Sequence, residues 1–279
     1  MNKNIQAFLE SVIVVDTETT GVKPQEDEIC EIASAAYSDG KWHNPKEAIL
    51  LGTTKRIPPE ASVVNGISNK MVVGKQKLDE KIDYIAEMIY SNDPKYLVGH
   101  NIQFDYNMIT ENLKRTESLD ILEPFNLKEN VICTLSLAMR LIQDILVVNY
   151  KQEYLRYYYD ILTDDNEVVS HRAGSDVIIC GNLLEKLIQL AIEQDRLDVN
   201  GDIGEQLVAI MNEPLPLKVY KTMPWGGHKG IELESLPTDY ITNYLLNPIK
   251  CNSLNEAHES YNKGLHVSVK NELARRNKK

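Results

Sequence analysis

Two carboxylates one residue apart end an apolar run near the beginning of the chain. The stretch VIVVDTETTG, residues 12–21, places four apolar residues directly before Asp16 and Glu18. The apolar run predicts a buried strand, and side chains at positions i and i+2 of a strand point to the same face. Two negative charges at such a short distance repel each other unless a cation lies between them. The pair therefore either points into water or binds a metal ion.

Two further segments carry residues that could complete a metal site. GHNIQFD ends at Asp105, and HRAGSD contains His171 and Asp176. Singly, Asp105 could be an acid favoured by a helix dipole, and His171 an ordinary surface histidine. Together, four carboxylates suit two Mg²⁺ or Mn²⁺ ions, which stabilise the attacking and leaving oxygens of a phosphoryl displacement. His171 could then act as general base, because its unperturbed pKa is about 6.5.

The bulk properties predict a soluble cytoplasmic protein. The 279 residues suffice for one large domain or for a domain of about 200 residues with a small one. The first twelve residues lack the apolar core of a signal peptide, and the sequence contains no 18-residue apolar run, so we expect no membrane segment. The four separated cysteines favour reduced thiols over a zinc site. The net charge of −11 argues against a broad nucleic-acid-coating surface but permits a local site where metal ions offset the acids.

Apolar periodicity predicts an α/β domain over residues 8–195. Three strands with short links near the N-terminus, with a turn at Asp39 and Gly40, favour an antiparallel meander. The predicted strands cover 12–16, 28–38, 48–51 and 96–101. The predicted helices cover 79–90, 104–115, the stretch 132–142 with Thr134 opening the helix, 150–162, 173–194 and 203–212.

The composition changes beyond this domain. The stretch NEPLPLKVYKTMPWGGHKG holds three prolines and three glycines in nineteen residues, which is typical of a boundary. We therefore expect a helix and linker over 196–216, a small accessory module over 217–269 and a basic tail over 270–279.

The three acidic segments resemble a known family. VVDTETTG, HNIQFD and HRAGSD look like the three exonuclease motifs of the DnaQ-like superfamily, in its DEDDh branch, over residues 12–195. The resemblance implies a ribonuclease-H-like fold, a mixed five-stranded sheet flanked by helices. It places Asn65 where a histidine is common in the family. The four acids and the histidine of the branch correspond here to Asp16, Glu18, Asp105, Asp176 and His171.

The resemblance also implies an activity, the 3′-to-5′ hydrolysis of nucleic acid to nucleoside 5′-monophosphates. Asp16 would bridge two Mg²⁺ ions, for which Mn²⁺ could substitute. Glu18 and Asp176 would complete the metal shell, Asp105 would act through water, and His171 would activate the attacking water. The substrate-binding candidates are Thr17 and Thr19 beside the terminal nucleotide, His100 and Asn101 as supporting or turn residues, and Phe104 as a stacking platform or a core residue.

The C-terminal stretch MPWGGHKGIELESLPTDYITNYL is similar to the small module attached to exonuclease X-like proteins. This similarity favours a deoxyribonuclease of DNA repair or recombination, with a DNA 3′ end as its partner. Two alternatives remain: a 3′-to-5′ exoribonuclease, and a non-catalytic module that binds a nucleic-acid end.

Overall fold

The computed structural model describes residues 2–116, 119–142, 147, 149–161, 172–217, 219–247, 249–254 and 263–277. The chain divides into two compact units, one formed by Met1–Ile142 and Asn149–Glu213 and the other by Gln143–Val148 and Pro214–Lys279. Within these described ranges, no helix has the length and apolar character needed to cross a bilayer.

The first unit is built on a mixed sheet. The described part of the chain contributes six strands: β1 (Val12–Thr19), β2 (Ile29–Ser38), β3 (Lys41–His43), β4 (Ile49–Leu50), β5 (Tyr96–Gly99) and β6 (Val131–Cys133). Their order is β3-β2-β1-β5-β6, with β4 also paired to β2. β1, β2 and β3 are antiparallel neighbours, whereas β5 and β6 run parallel to β1. The predicted α/β class and mixed sheet are confirmed.

The predicted meander is only partly correct. Asp39 and Gly40 both have positive φ, 51° and 79°, which is the conformation of a two-residue type I′ hairpin turn. The turn leads into β3, a strand absent from the sequence prediction. The next strand, β4, pairs with the other end of β2, where Leu50 faces Glu31. Two short strands therefore share one edge of β2.

The described residues of the first unit form these helices: α1 (Lys3–Glu10), α2 (Pro59–Asn65), α3 (Asn69–Val72), α4 (Ile82–Ile89), α5 (Ile102–Lys114), α6 (Thr134–Leu141), α7 (Gln152–Tyr158), α8 (Ala173–Glu193) and α9 (Ile203–Asn212), with 3₁₀ turns at Asp79–Lys81 and Leu119–Leu122. The predicted helix that Thr134 opens agrees with α6, which begins at that residue. Val131 and Ile132, just before it, pair with Leu97 and Val98 of β5. This parallel pairing with a distant strand forms β6, which the sequence did not predict.

The long helix α8 packs across β1 and β2. Gly181 allows a close approach, because a Cβ atom there would lie 2.3 Å from the ring of Trp42 on β3. The Trp42 indole donates a hydrogen bond from Nε1 to Glu185 Oε1 at 2.8 Å, which ties the helix to the sheet edge. This packing brings the first turn of α8, with Asp176, towards β1.

The second unit has its own apolar core. Its helices are α10 (Thr238–Tyr240), which continues as a π-helical turn (Ile241–Leu245), and α11 (Lys263–Arg276), with 3₁₀ turns at Leu233–Ser235 and Asn252–Leu254. Residues up to Arg276, predicted as part of a basic tail, thus lie in α11. The Arg276 guanidinium donates to the carbonyls of Leu233 and Leu236. Trp225 is 36% exposed. The buried core includes Met223, Leu233, Leu236, Ile241, Leu245, Leu265 and Val269.

Candidate active site

Four acids from three elements of the first unit line one cleft of about 240 Å³. Asp16 and Glu18 lie on β1, Asp105 in the first turn of α5 and Asp176 in the first turn of α8. One carboxylate oxygen each from Asp16, Glu18 and Asp176 lies within 4.8 Å of the others. The alternation of β1 and the packing of α8 on that strand create this cluster.

Asp105 is held beside the cluster by β1. Its side chain is 3% exposed, and its Oδ1 accepts hydrogen bonds from the amide of Thr17 at 3.0 Å and from the Thr17 hydroxyl at 2.7 Å. Thr17 lines the cleft, but its two donors are directed to Asp105. The Thr19 hydroxyl donates instead to the carbonyl of Gly21.

The acids of the cluster repel one another in the absence of a cation. Burial raises the pKa of Asp16 well above its usual value, and the charges of Asp105 and Asp176 add to this. Burial and the Asp176 charge raise the pKa of Glu18 to about 8. Burial likewise raises the pKa of Asp105 to about 7, against the lowering effect of its hydrogen bonds from Thr17. Closely placed, partly buried carboxylates are the donor set that hard divalent cations require, so the residues fit such ions.

A fifth carboxylate, Glu31, lies opposite Glu18 in the β1–β2 register and is fully buried. It accepts hydrogen bonds from Nε and Nη2 of Arg172 at 3.1 and 2.5 Å and from the amide of Ala173 at 3.1 Å. These bonds anchor the beginning of α8 to β2. This role of Glu31 was not predicted from the sequence, because Glu31 is a single acid within an apolar strand.

The other predicted contacts lie along the cleft wall. His100, Asn101 and Phe104 all line it. The His100 ring bonds Thr134 Oγ1 through Nδ1 and the Tyr150 carbonyl through Nε2, both at 2.9 Å. Burial lowers the pKa of His100 to about 4, so the ring is neutral near pH 7 and Nε2 carries the proton.

Asn101 and Phe104 have structural roles as well. Asn101 adopts a left-handed conformation, φ 65°, immediately before α5, which asparagine tolerates better than most residues. Phe104 is partly buried and packs against the apolar core while also facing the cleft. Each of the two residues therefore has a structural role and also lies on the wall of the cleft.

Three residues at the beginning of α7, Lys151, Gln152 and Glu153, also line the cleft. The Gln152 amide donates to the carbonyl of Asp176 at 2.9 Å, which links α7 to α8. The sequence of this segment predicted a tyrosine-rich helix, and no local feature indicated a role for these three residues at the cleft. His171, the predicted general base, lies outside the described residues, and its role stays a prediction.

Asn65 occupies a buried position next to β1. Its side-chain amide donates to the carbonyl of Thr19 at 3.1 Å, and its Oδ1 accepts from the amide of Ile67 at 2.9 Å. The β1–β2 register shifts between Glu18 and Thr19. Asn65 therefore supports the end of the strand that carries the acids.

A family model described as an exonuclease, RNase_T, matches residues 13–184, more than half of the chain. The chain belongs to the exonuclease family. This exonuclease is 28% identical over 185 residues to DNA polymerase III subunit epsilon of Treponema pallidum (strain Nichols), an alignment covering 66% of this chain and 80% of the relative. It is 30% identical over 131 residues to a DNA polymerase III PolC-type protein of Thermotoga petrophila, covering 47% of this chain but only 9% of that much longer relative.

The fold of this exonuclease also matches a solved structure. Exonuclease X in complex with 5′ overhanging duplex DNA aligns with a TM-score of 0.50 at 24% identity, covering 72% of this chain and 99% of that one. The predicted DnaQ-like family, its fold and its 3′-to-5′ exonuclease activity are confirmed. The family depends on divalent metal, in agreement with the acidic cluster.

Proposed function

We propose that this exonuclease is a 3′-to-5′ exodeoxyribonuclease of DNA repair or recombination that works in the cytoplasm with two Mg²⁺ ions and releases nucleoside 5′-monophosphates. Mn²⁺ could substitute for Mg²⁺. The observation that carries the proposal is the convergence of Asp16, Glu18 and Asp176 within 4.8 Å in one cleft.

Each acid has a distinct part in the proposal. Asp16, Glu18 and Asp176 would hold the ions, and Asp105, oriented by Thr17, would support them through water. When bound, the ions would offset the charge that develops on the phosphodiester. His171 would take the proton from the attacking water as the new phosphorus–oxygen bond forms and the 3′ oxygen of the preceding nucleotide leaves.

The preference for DNA is supported by the relatives and by the solved neighbour. The subunit epsilon and PolC-type relatives are named as DNA polymerase III proteins, and the exonuclease X structure contains duplex DNA. Thr17 and the residues at the beginning of α7 would face the terminal nucleotide, because they line the same cleft as the acids.

The proposal is tested by digestion of matched DNA and RNA oligonucleotides, single- and double-stranded and labelled at the 5′ end, in Mg²⁺ or in EDTA. We expect stepwise shortening of DNA from the 3′ end in Mg²⁺ and none in EDTA. Asp176→Asn should abolish shortening, whereas Glu193→Gln, which changes an exposed acid on the same helix, should preserve it. His171→Ala should slow hydrolysis by roughly 10²–10⁴-fold.

The results also separate the alternatives. Faster digestion of RNA would make the enzyme an exoribonuclease. Tight binding of 3′ ends without any release of mononucleotides would make it a non-catalytic module. Either result would contradict the assignment as an exodeoxyribonuclease.

A further inference from the structure

A second groove lies in the first unit, outside the acidic cleft. We call it the basic groove. It has a volume of about 390 Å³ and is lined mainly by two chain segments, 52–56 and 72–77, together with Asn69. Four cationic side chains line it: Lys55, Arg56, Lys75 and Lys77.

This concentration of positive charge is unusual for the unit that contains it. Residues 1–213 hold 20 Lys and Arg against 35 Asp and Glu. The segment 52–77 reverses that balance, with five cations and Glu60 as its one acid. A local excess of cations in an acidic unit indicates a surface that attracts anions.

The cations of the basic groove are poorly neutralised by the protein itself. Lys55 forms an ion pair with Asp27. For Arg56, Lys75 and Lys77, the described residues provide no carboxylate partner, and all three side chains are exposed. Like charges around one groove repel each other, and a bound polyanion would relieve that repulsion.

The two walls of the basic groove are fixed to each other. The amide of Gly52 donates to the carbonyl of Gln76 at 2.8 Å. A Cβ atom at Gly52 would lie 2.3 Å from the carbonyl oxygen of Lys75, so the absence of a side chain permits this approach. The cations are therefore presented by a preformed groove.

The sheet register relates the basic groove to the acidic cleft. Glu18 faces Glu31, and Glu31 faces Leu50. Two strand spacings, about 10 Å, thus separate Glu18 from Leu50. The groove begins two residues later, at Gly52, about 7 Å further along the chain and roughly perpendicular to these spacings, so about 12 Å separates Glu18 from Gly52. A nucleic-acid strand that rises about 3.4 Å per nucleotide covers this separation with roughly four nucleotides.

We propose that the basic groove binds the phosphodiester backbone of the nucleic acid whose 3′ end enters the acidic cleft, several nucleotides away from the hydrolysed bond. This inference rests on the proposed function. Arg56, Lys75 and Lys77 contact phosphates without reading sequence, so the groove adds affinity for longer strands of any sequence.

The test is equilibrium binding in EDTA, which needs no turnover. A long 5′-fluorescein oligonucleotide and a dinucleotide competitor are titrated by anisotropy against the full chain and against the double variant Lys75→Gln/Lys77→Gln. We expect the ratio of the affinities for the long strand and for the dinucleotide to fall about tenfold in the double variant. The slope of log K for the long strand against log salt concentration should fall in magnitude by roughly 2. The control Lys41→Gln/Lys128→Gln removes two exposed cations elsewhere in the same unit and should bind like the wild type.

Two further outcomes would overturn the inference. One is a double variant with the affinity and salt slope of the control. The other is displacement of the oligonucleotide by inorganic phosphate well beyond that by chloride at equal ionic strength, which would assign the groove to a single phosphate. An absence of hydrolysis in the digestion assay, with binding still dependent on Lys75 and Lys77, would instead contradict only the proposed catalysis.

Discussion

Thr17 donates two hydrogen bonds to the same oxygen of Asp105, from its amide at 3.0 Å and from its hydroxyl at 2.7 Å. The residue lies between Asp16 and Glu18 on β1, whereas Asp105 lies on α5. The two bonds therefore fix an acid of the helix relative to the strand that carries two others.

Thr17→Val tests the contribution of the hydroxyl. The amide bond remains, but a buried carboxylate loses a donor, so we expect the free energy of unfolding to fall by about 1–2 kcal/mol. We also expect Mg²⁺ to bind several-fold more weakly, because Asp105 loses its orientation. Urea denaturation and calorimetric Mg²⁺ titration measure the two effects. Thr17→Ser keeps the hydroxyl and should resemble the wild type; equal losses in both variants would assign the effect to packing.

Glu18 makes the metal-free protein less stable as pH rises. Its folded-state pKa is about 8, raised from 4.5 by burial and by neighbouring acids. Between these values the unfolded chain releases the proton first, so ionisation favours unfolding and stability falls with rising pH. We expect a fall of roughly 2–4 kcal/mol across this window in EDTA.

Glu18→Gln should remove the part of the fall that Glu18 contributes, whereas Asp16 and Asp105, whose pKa values are also raised, retain theirs. The variant should be more stable than the wild type at pH 8 in EDTA, although inactive. Urea denaturation at several pH values measures it, and Glu123→Gln, which changes an exposed acid, is the control. Saturating Mg²⁺ should raise the free energy of unfolding of the wild type at pH 8 but should leave that of the variant unchanged. A fall in Glu18→Gln as steep as that of the wild type would disprove this account.

His100 acts in the opposite direction at lower pH. Burial lowers its folded-state pKa from 6.5 to about 4. Below pH 6.5 the unfolded chain takes up a proton that the folded chain refuses, so stability falls as the solution becomes more acidic. The contribution is at most about 3 kcal/mol. His100→Gln should lose this acid sensitivity, with a cost of about 1–2 kcal/mol at pH 7 from its two hydrogen bonds.

Denaturation of both proteins at pH 7 and pH 5 measures the effect of His100. Thr134→Val removes one partner of the ring but keeps the histidine, so it should retain the acid sensitivity. If His100→Gln and the wild type lose equal stability on acidification, another group is responsible.

The Glu31–Arg172 pair should show strong energetic coupling. Arg172→Gln leaves a fully buried carboxylate with the Ala173 amide as its remaining donor, and we expect a loss of about 2–4 kcal/mol. Adding Glu31→Gln should recover part of this loss, because the buried charge disappears. Arg172→Lys keeps the charge without the planar fork and should be intermediate. Purely additive losses in the double-mutant cycle would show that the pair is not coupled.

A chain ended at residue 216 should fold. The compact first unit ends at Glu213, whose carbonyl accepts a hydrogen bond from Arg140 Nε and whose carboxylate pairs with Arg196. We expect a cooperative thermal transition and cleavage of short substrates. A shortened chain without a transition would show that the second unit is needed for the fold of the first.

The local pattern of apolar residues was sufficient to predict the longest helices and strands. The apolar run before Asp16 indicated β1, and the predicted ranges for α8 and α9 agree with the structure to within one residue. β3 and β6, each three residues long, were missed, because such short strands are defined by their pairing partners and not by their own periodicity.

The same distinction applies to the candidate site. The residue types and their order along the chain were enough to predict Asp16, Glu18, Asp105 and Asp176 as site residues. The fold brings these four acids to one cleft. The contact between Glu31 and Arg172 joins residues 141 positions apart, and no local signal indicates it. The cleft wall at the beginning of α7 was missed for the same reason, because only the tertiary fold places Gln152 beside Asp176.

The chain contains two tryptophans, whose intrinsic fluorescence can report on its unfolding. Trp42 belongs to the first unit, is 6% exposed and packs edge-on against Tyr37, whereas Trp225 belongs to the second unit and is 36% exposed. An indole shielded from water emits at shorter wavelength than one in contact with it. The blue part of the emission therefore reports on the unit with the acidic cleft, and the red part reports on the other. With Trp225→Phe as the reference spectrum, unfolding of each unit can be followed in one unlabelled sample.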